Sequence, residues 1–379
     1  MNKFAFGALA APLLCATSMA ADTEWPELDR ELAALSNAPL TQDSGGPYLN
    51  GWLISSFDYN ADAEDANSNK SDVGFNVNSA RIQLEGSIAK TYGYKIGVEF
   101  FDTGELYAPS GTPVGANGAA GIADAYGTFA IGEYVDFKMG IFRGPTLRSS
   151  GIDRNHTLFI ERSFLGQQLS SRDAGLEIGG SFDRFHWALV AQNGMDGKTD
   201  GFAWGVDIDI DLMGEMSGNE GAYGAAEGTN LNLGLIYMDD TSDTAAGASQ
   251  KVAKLGGDVT LVTGPFSLFG EVIDYDTDTG PSIGGMPIGV NNTPWSAGLG
   301  YLVGEEYEIA FRYDSLDVSD QTSPYYDGTR YNFVLNRYIQ GHDIKWQLQF
   351  GFGDSKASGT TSDKVAEHTI IAIALALGF

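Results

Sequence analysis

From Tyr48 to the C-terminus, apolar and polar positions alternate with a period of two. Trp204, Val206, Ile208, Ile210 and Leu212 share one face, opposite Gly205, Asp207, Asp209 and Asp211. Ile344, Trp346, Leu348, Phe350 and Phe352 stand against Lys345, Gln347, Gln349 and Gly351, and Tyr94, Ile96, Val98 and Phe100 against Lys95, Gly97 and Glu99. Val135, Phe137, Met139 and Ile141 alternate with Asp136, Lys138 and Gly140. Such a period sends successive side chains to opposite faces of a strand. Roughly sixteen segments of this kind, each about as long as a tilted membrane-spanning strand, can be parsed. They start near residues 48, 74, 92, 122, 134, 172, 185, 202, 229, 251, 266, 294, 306, 330, 342 and 368.

The connections alternate in length as well. Ile88–Tyr92, Gly132–Tyr134, Phe182–Phe185, Val262–Phe266, Val303–Glu306 and Gln340–His342 are tight, whereas 60–73, 103–121, 144–171, 276–293 and 353–367 are long. Short turns at one end and long loops at the other predict an all-β fold: a closed antiparallel transmembrane barrel over 48–379, with periplasmic turns and outer loops. The connection 214–228 breaks the rule, being long where a short turn is due. No segment after residue 21 has the roughly 20 apolar residues of a membrane-spanning helix.

Ahead of the barrel, Lys3, the apolar stretch Phe4–Ala16 and the small residues Ser18-Met19-Ala20 predict a signal peptide over 1–20. Residues 21–47 form a short periplasmic lead-in, with an amphipathic helical pattern from Trp25 to Leu35. Cys15 is the only cysteine, so the mature chain has no disulfide and no cysteine-based metal site.

Glycine is abundant at 50 residues and aromatic residues reach 12%, a mix suited to many strands and turns. The formal charge of −28 argues against nucleic acid as a partner, because a polyanion needs a basic footprint. His156, His186, His342 and His368 show no metal-ligand spacing, and no Gly-x-Ser-x-Gly nucleophile elbow is present. Neither an enzyme nor a bound cofactor or metal is expected. Asp207-Ile208-Asp209-Ile210-Asp211 lacks the glycine of a calcium loop and lies in strand alternation.

Several stretches resemble the phosphate-selective porin family of the O/P type. They are Ser79–Gly86, Met139–Pro145, Phe159–Ser163, Arg172–Gly175, Gln192–Gly194, Arg312–Asp314 and Leu335–Tyr338, in that order over about 75–352. The closing alternation of Ile371, Ile373, Leu375, Leu377 and Phe379 also resembles the assembly signal of bacterial outer-membrane proteins. The family resemblance implies a sixteen-stranded homotrimer in outer-membrane lipid, with a basic lining that attracts phosphate or other anions. This chain departs from that pattern in charge: without Lys3 it holds 21 basic residues against 50 acidic ones.

The longest loop, 144–171, follows the fifth segment, where general porins fold a loop inward. Arg143, Arg148, Arg154, Arg162 and Arg172 lie in or beside it and are candidates for an anion-attracting constriction. They could equally pair with Asp153, Glu161 and Asp173 and hold the loop folded. Alternation points Arg81, Lys95, Lys138, Arg312 and Lys345 into the lumen, and Asp207, Asp209 and Asp211 with them. The expected function is passive diffusion of small hydrophilic solutes, with small anions such as phosphate leading. A general or cation-preferring pore is the alternative that the aspartates support, and a non-conducting anchor or lipid-modifying barrel the more distant one.

Overall fold

The structure, a computed structural model, describes residues 47–379 except 62–63, 66–67, 70–71, 89–90, 101–119, 133, 171, 195–201, 244–248, 278–281, 284–285, 288–292, 318–326 and 357–364. The signal segment 1–20 and the lead-in, up to residue 46, lie outside the described residues.

Sixteen antiparallel strands close into one barrel. They are β1 (Tyr48–Ala61), β2 (Asp72–Ile88), β3 (Tyr92–Phe100), β4 (Ala120–Ile131), β5 (Val135–Arg143), β6 (Arg172–Phe182), β7 (Phe185–Gln192) and β8 (Ala203–Met213). The second half continues with β9 (Thr229–Asp243), β10 (Ser249–Thr263), β11 (Phe266–Thr277), β12 (Trp295–Val303), β13 (Tyr307–Asp317), β14 (Asp327–Gln340), β15 (Ile344–Lys356) and β16 (Val365–Gly378). Closure comes from β1 pairing with β16, from Trp52↔Gly378 to Ala61↔Thr369, so no sheet edge is left for lipid to meet. All the strands begin within three residues of the positions read from alternation.

The outward set carries the hydrophobic residues. Leu53, Phe57, Trp204, Leu233, Leu268, Ile309, Phe350 and Ile373 are all exposed, as a lipid-facing wall requires. Aromatic pairs gather at both rims. Trp295, Tyr313, Tyr331 and Phe352 run across four neighbouring strands at the long-loop end, with ring centroids 4.9, 4.9 and 5.2 Å apart. Tyr92–Phe129, Tyr134–Phe182 and Phe266–Tyr301 mark the short-turn end. Two such belts are what the membrane–water interfaces select.

The inward set is small or polar where something packs on it. Between β5 and β6 the chain enters the barrel through α1 (Arg148–Gly151), a 3-10 turn (Arg154–His156) and α2 (Phe164–Gln168). Its apolar side chains make a core with the wall. Leu147, Leu165 and Leu169 pack on Ile236, Val252, Ile273 and Tyr275, while Leu158 and Phe159 pack on Ala310 and Val334. Ile160 sits against Ala372 and Ala374, whose methyl groups leave it room. The loop therefore fills the half of the lumen bounded by β9–β16.

Candidate functional site in the barrel interior

The descent of the inner loop is fixed by side chains projecting from alternate wall positions. On β15, Lys345 Nζ donates to the Thr157 carbonyl and Gln347 Nε2 to the Leu158 carbonyl at 2.9 Å. Gln349 Oε1 accepts from the Ile160 N–H, also at 2.9 Å. A strand with period two thus meets an extended loop segment rung by rung. On β13, Arg312 spreads its guanidinium over the Glu161 and Arg162 carbonyls at 3.1 and 3.2 Å, and holds Asp314 at 2.9 Å. Its carbon lies 4.3 Å from the Phe159 ring centroid. Glu271 of β11 accepts from Ser149 and Ser163, and Asp258 of β10 from the Arg148 N–H at 3.1 Å.

These contacts decide where the expected lumen residues stand. Arg312 and Lys345 point inward but are buried beneath the loop, at 1% and 0% exposure. Arg81 is equally covered. It pairs with Glu99 at 2.6 Å and Asp124 at 3.7 Å and lies over Trp52. Lys95 and Lys138 do face open space, each beside an acid: Glu85 at 3.8 Å and Glu177 at 2.7 Å.

The five loop arginines are dispersed rather than gathered into a ring. Arg154 and Arg162 are buried within the folded loop, Arg162 donating to the Ser149 carbonyl. Arg172 is buried too, on Asp124 at 3.0 Å and the Ser170 carbonyl at 3.1 Å, though it reaches the edge of a cavity. Arg148 donates to the carbonyls of Ser217 and Asn219 at 2.6 and 2.8 Å. Arg143 lines the open side, with one nitrogen on the Gly151 carbonyl at 2.9 Å.

Open space remains between the loop and the β3–β8 wall. A cavity of about 540 Å³ is bounded by β3–β8 and the loop, and one of about 660 Å³ continues toward 214–228. The two share Thr146, Gly151, Asp153, His186, Asp207 and Asp209. Asp207, Asp209 and Asp211 all line this space; Asp207 also accepts from the Thr146 N–H at 3.3 Å, and Asp211 from Asn232 at 2.9 Å. The described lining residues include five bases (Lys95, Lys138, Arg143, Arg148, Arg172) and seven acids (Asp124, Asp136, Asp153, Glu177, Asp207, Asp209, Asp211).

At the short-turn rim the tip of the loop is locked by rings. His156 stacks on His342 with centroids 4.9 Å apart and planes 5° off parallel. Tyr223 stacks on Tyr338 at 3.8 Å, and both meet His342 edge-on. Burial, then the nearby Lys345 charge and His156, push the His342 pKa down to about 3. The sequence signal for this lock was the unexplained length of 214–228; the acids that receive the loop, Glu271 and Asp258 among them, gave no signal apart from strand phase.

Comparison with known proteins agrees with this architecture. The family model for phosphate-selective porin O and P matches residues 54–379. An anion-selective porin from Comamonas acidovorans superposes with a TM-score of 0.57 at 13% identity, covering 88% of this chain and 99% of that one. The outer-membrane channel DcaP of Acinetobacter baumannii gives 0.55 at 13% identity, covering 88% and 97%. Salmonella typhi OmpF, in complex with daunomycin, gives 0.60 at 9% identity, covering 89% and 98%. No curated protein sequence matches significantly. With a family match spanning nearly the whole barrel, this chain belongs to the phosphate-selective porin O and P family and is an outer-membrane porin.

Proposed function

We propose that the protein is a diffusion porin whose open path prefers cations and small polar solutes over phosphate-like anions. The observation that carries this reading is the partnering of charges along the β3–β8 side. Lys95, Lys138 and Arg172 each stand beside a carboxylate, whereas Asp207 and Asp209 lie side by side on β8. Charges at close range inside a narrow, poorly solvated passage weigh more than those on exposed loops, which are screened within about 8 Å at physiological salt. Arg154 and Arg162, two of the bases that would have favoured anions, are buried in the folded loop, Arg162 on the Ser149 carbonyl. Arg143 reaches the same space from the edge of the loop, with Nη1 on the Gly151 carbonyl.

Export behind a signal segment at 1–20 and assembly into a homotrimer complete the reading. The trimer draws on the resemblance and on OmpT of Vibrio cholerae, described in a trimer form and superposing at TM-score 0.55 with 13% identity. The test of the pore itself is conductance across a planar lipid bilayer. Purified, folded protein should insert in discrete steps that scale with salt concentration. A preparation that folds yet gives no steps would leave an anchor.

A further inference from the structure

Residues 214–228 connect β8 to β9 at the short-turn end, where the neighbouring connections need only two or three residues. The segment does not stay outside. It turns into the barrel mouth and bonds to the loop that descends from the opposite end: the Glu220 N–H donates to the His156 carbonyl at 3.0 Å, and Glu220 Oε2 accepts from the Leu158 N–H at 2.7 Å. From the wall, Glu308 Oε1 accepts from the Ala222 N–H at 2.7 Å. Gly221, with φ +93, lies against both Glu308 and Leu158, a backbone approach that no side chain could share.

Arg148 ties the two loops together. Its backbone N–H is fixed by Asp258, and its guanidinium caps two carbonyls of the segment, those of Ser217 and Asn219. Met216, Gly218 and Asn219 then form part of the wall of the 660 Å³ cavity. A connection that served only to reverse the chain would have no use for these contacts.

We propose that 214–228 is a second constriction, at the periplasmic mouth, that limits the size of solute leaving the cavity, with Arg148 as its positioning residue. The proposal rests on the pore reading and adds an exit filter to it. Because short turns face the periplasm in such barrels, the filter acts after the inner loop on an inbound solute.

The test uses full-length protein in planar bilayers and in liposomes loaded for swelling by sugars of graded size. Gly218 lines the cavity and a Cβ there would meet nothing within 4 Å, so Gly218→Trp is the variant that adds bulk at this mouth. It should lower conductance severalfold. Replacing 215–227 by Asn-Gly, which suits a tight hairpin, should raise conductance severalfold and admit larger sugars. Arg148→Ala, with the tie lost, should move the size limit the same way as the replacement. A conducting wild type whose folded Gly218→Trp and shortened variants keep its conductance and size limit would overturn the proposal. Conductance from the shortened form alone would support it, as removal of a plug. Silence from every form would sink the pore reading and this filter with it.

Discussion

Removing the guanidinium of Arg312 strips donors from two loop carbonyls and leaves Asp314 buried beside Asn332 and Ser296. Breaking a buried pair from one side costs about 3–5 kcal/mol, so Arg312→Ala should lower the melting temperature and make the open channel noisier. Arg312→Lys keeps the charge but not the fork, and should recover only part of the stability. Thermal unfolding followed by circular dichroism checks this; an unchanged melting temperature for Arg312→Ala would contradict it. His342 gives a pH-dependent counterpart. Its folded value of about 3 lies below the usual 6.5, so the unfolded chain takes up the proton first. Its contribution is present in full above pH 6.5 and is lost as pH falls toward 3, at up to ~1.4 kcal/mol per pH unit. Wild type should therefore lose more stability than His342→Asn between pH 7.5 and 4.5. Parallel curves would count against the ring lock at the rim.

Around Ile160 the inner loop packs on methyl groups that the last strand presents. Ala374 is fully buried against Ile160, while its neighbour Ile373 faces outward. Overpacking such a site costs about 1–3 kcal/mol, so Ala374→Phe should displace the loop and alter conductance. Ile373→Phe, on the lipid face, should leave both stability and conductance unchanged. Single-channel recording separates the two; equal effects would deny the packing of Ile160 on β16. How much of this the sequence discloses depends on what each signal encodes. Period-two alternation states the face of a residue and the position of a strand, so Lys345 and Lys138 read alike. Whether water or a loop covers that face is set by contacts about 190 residues apart, such as Gln347 with Leu158. The Arg143–Arg172 group was visible as a cluster in sequence. Its dispersal was not, because the partners that draw these arginines apart come from different places: the Gly151, Ser149 and Ser170 carbonyls of the loop, the Ser217 and Asn219 carbonyls of 214–228, and Asp124 of β4.

Across the whole molecule the chain is strongly acidic, and on the proposed reading the charges that act on a solute are those lining the open side of the barrel. The trimer reading predicts a threefold mass in native mass spectrometry of detergent-solubilised protein; monomer alone would contradict it. On the proposed cation-preferring reading the path between the loop and the β3–β8 wall, with seven acids against five bases among its described lining residues, selects by charge. The most direct measurement is the zero-current potential across a potassium chloride gradient, on wild type and on a variant with Asp207, Asp209 and Asp211 all changed to Asn. A cation-selective wild type is expected, with a preference that shrinks or inverts in the triple variant. An anion-selective wild type, or a cation preference untouched by the three substitutions, would contradict it.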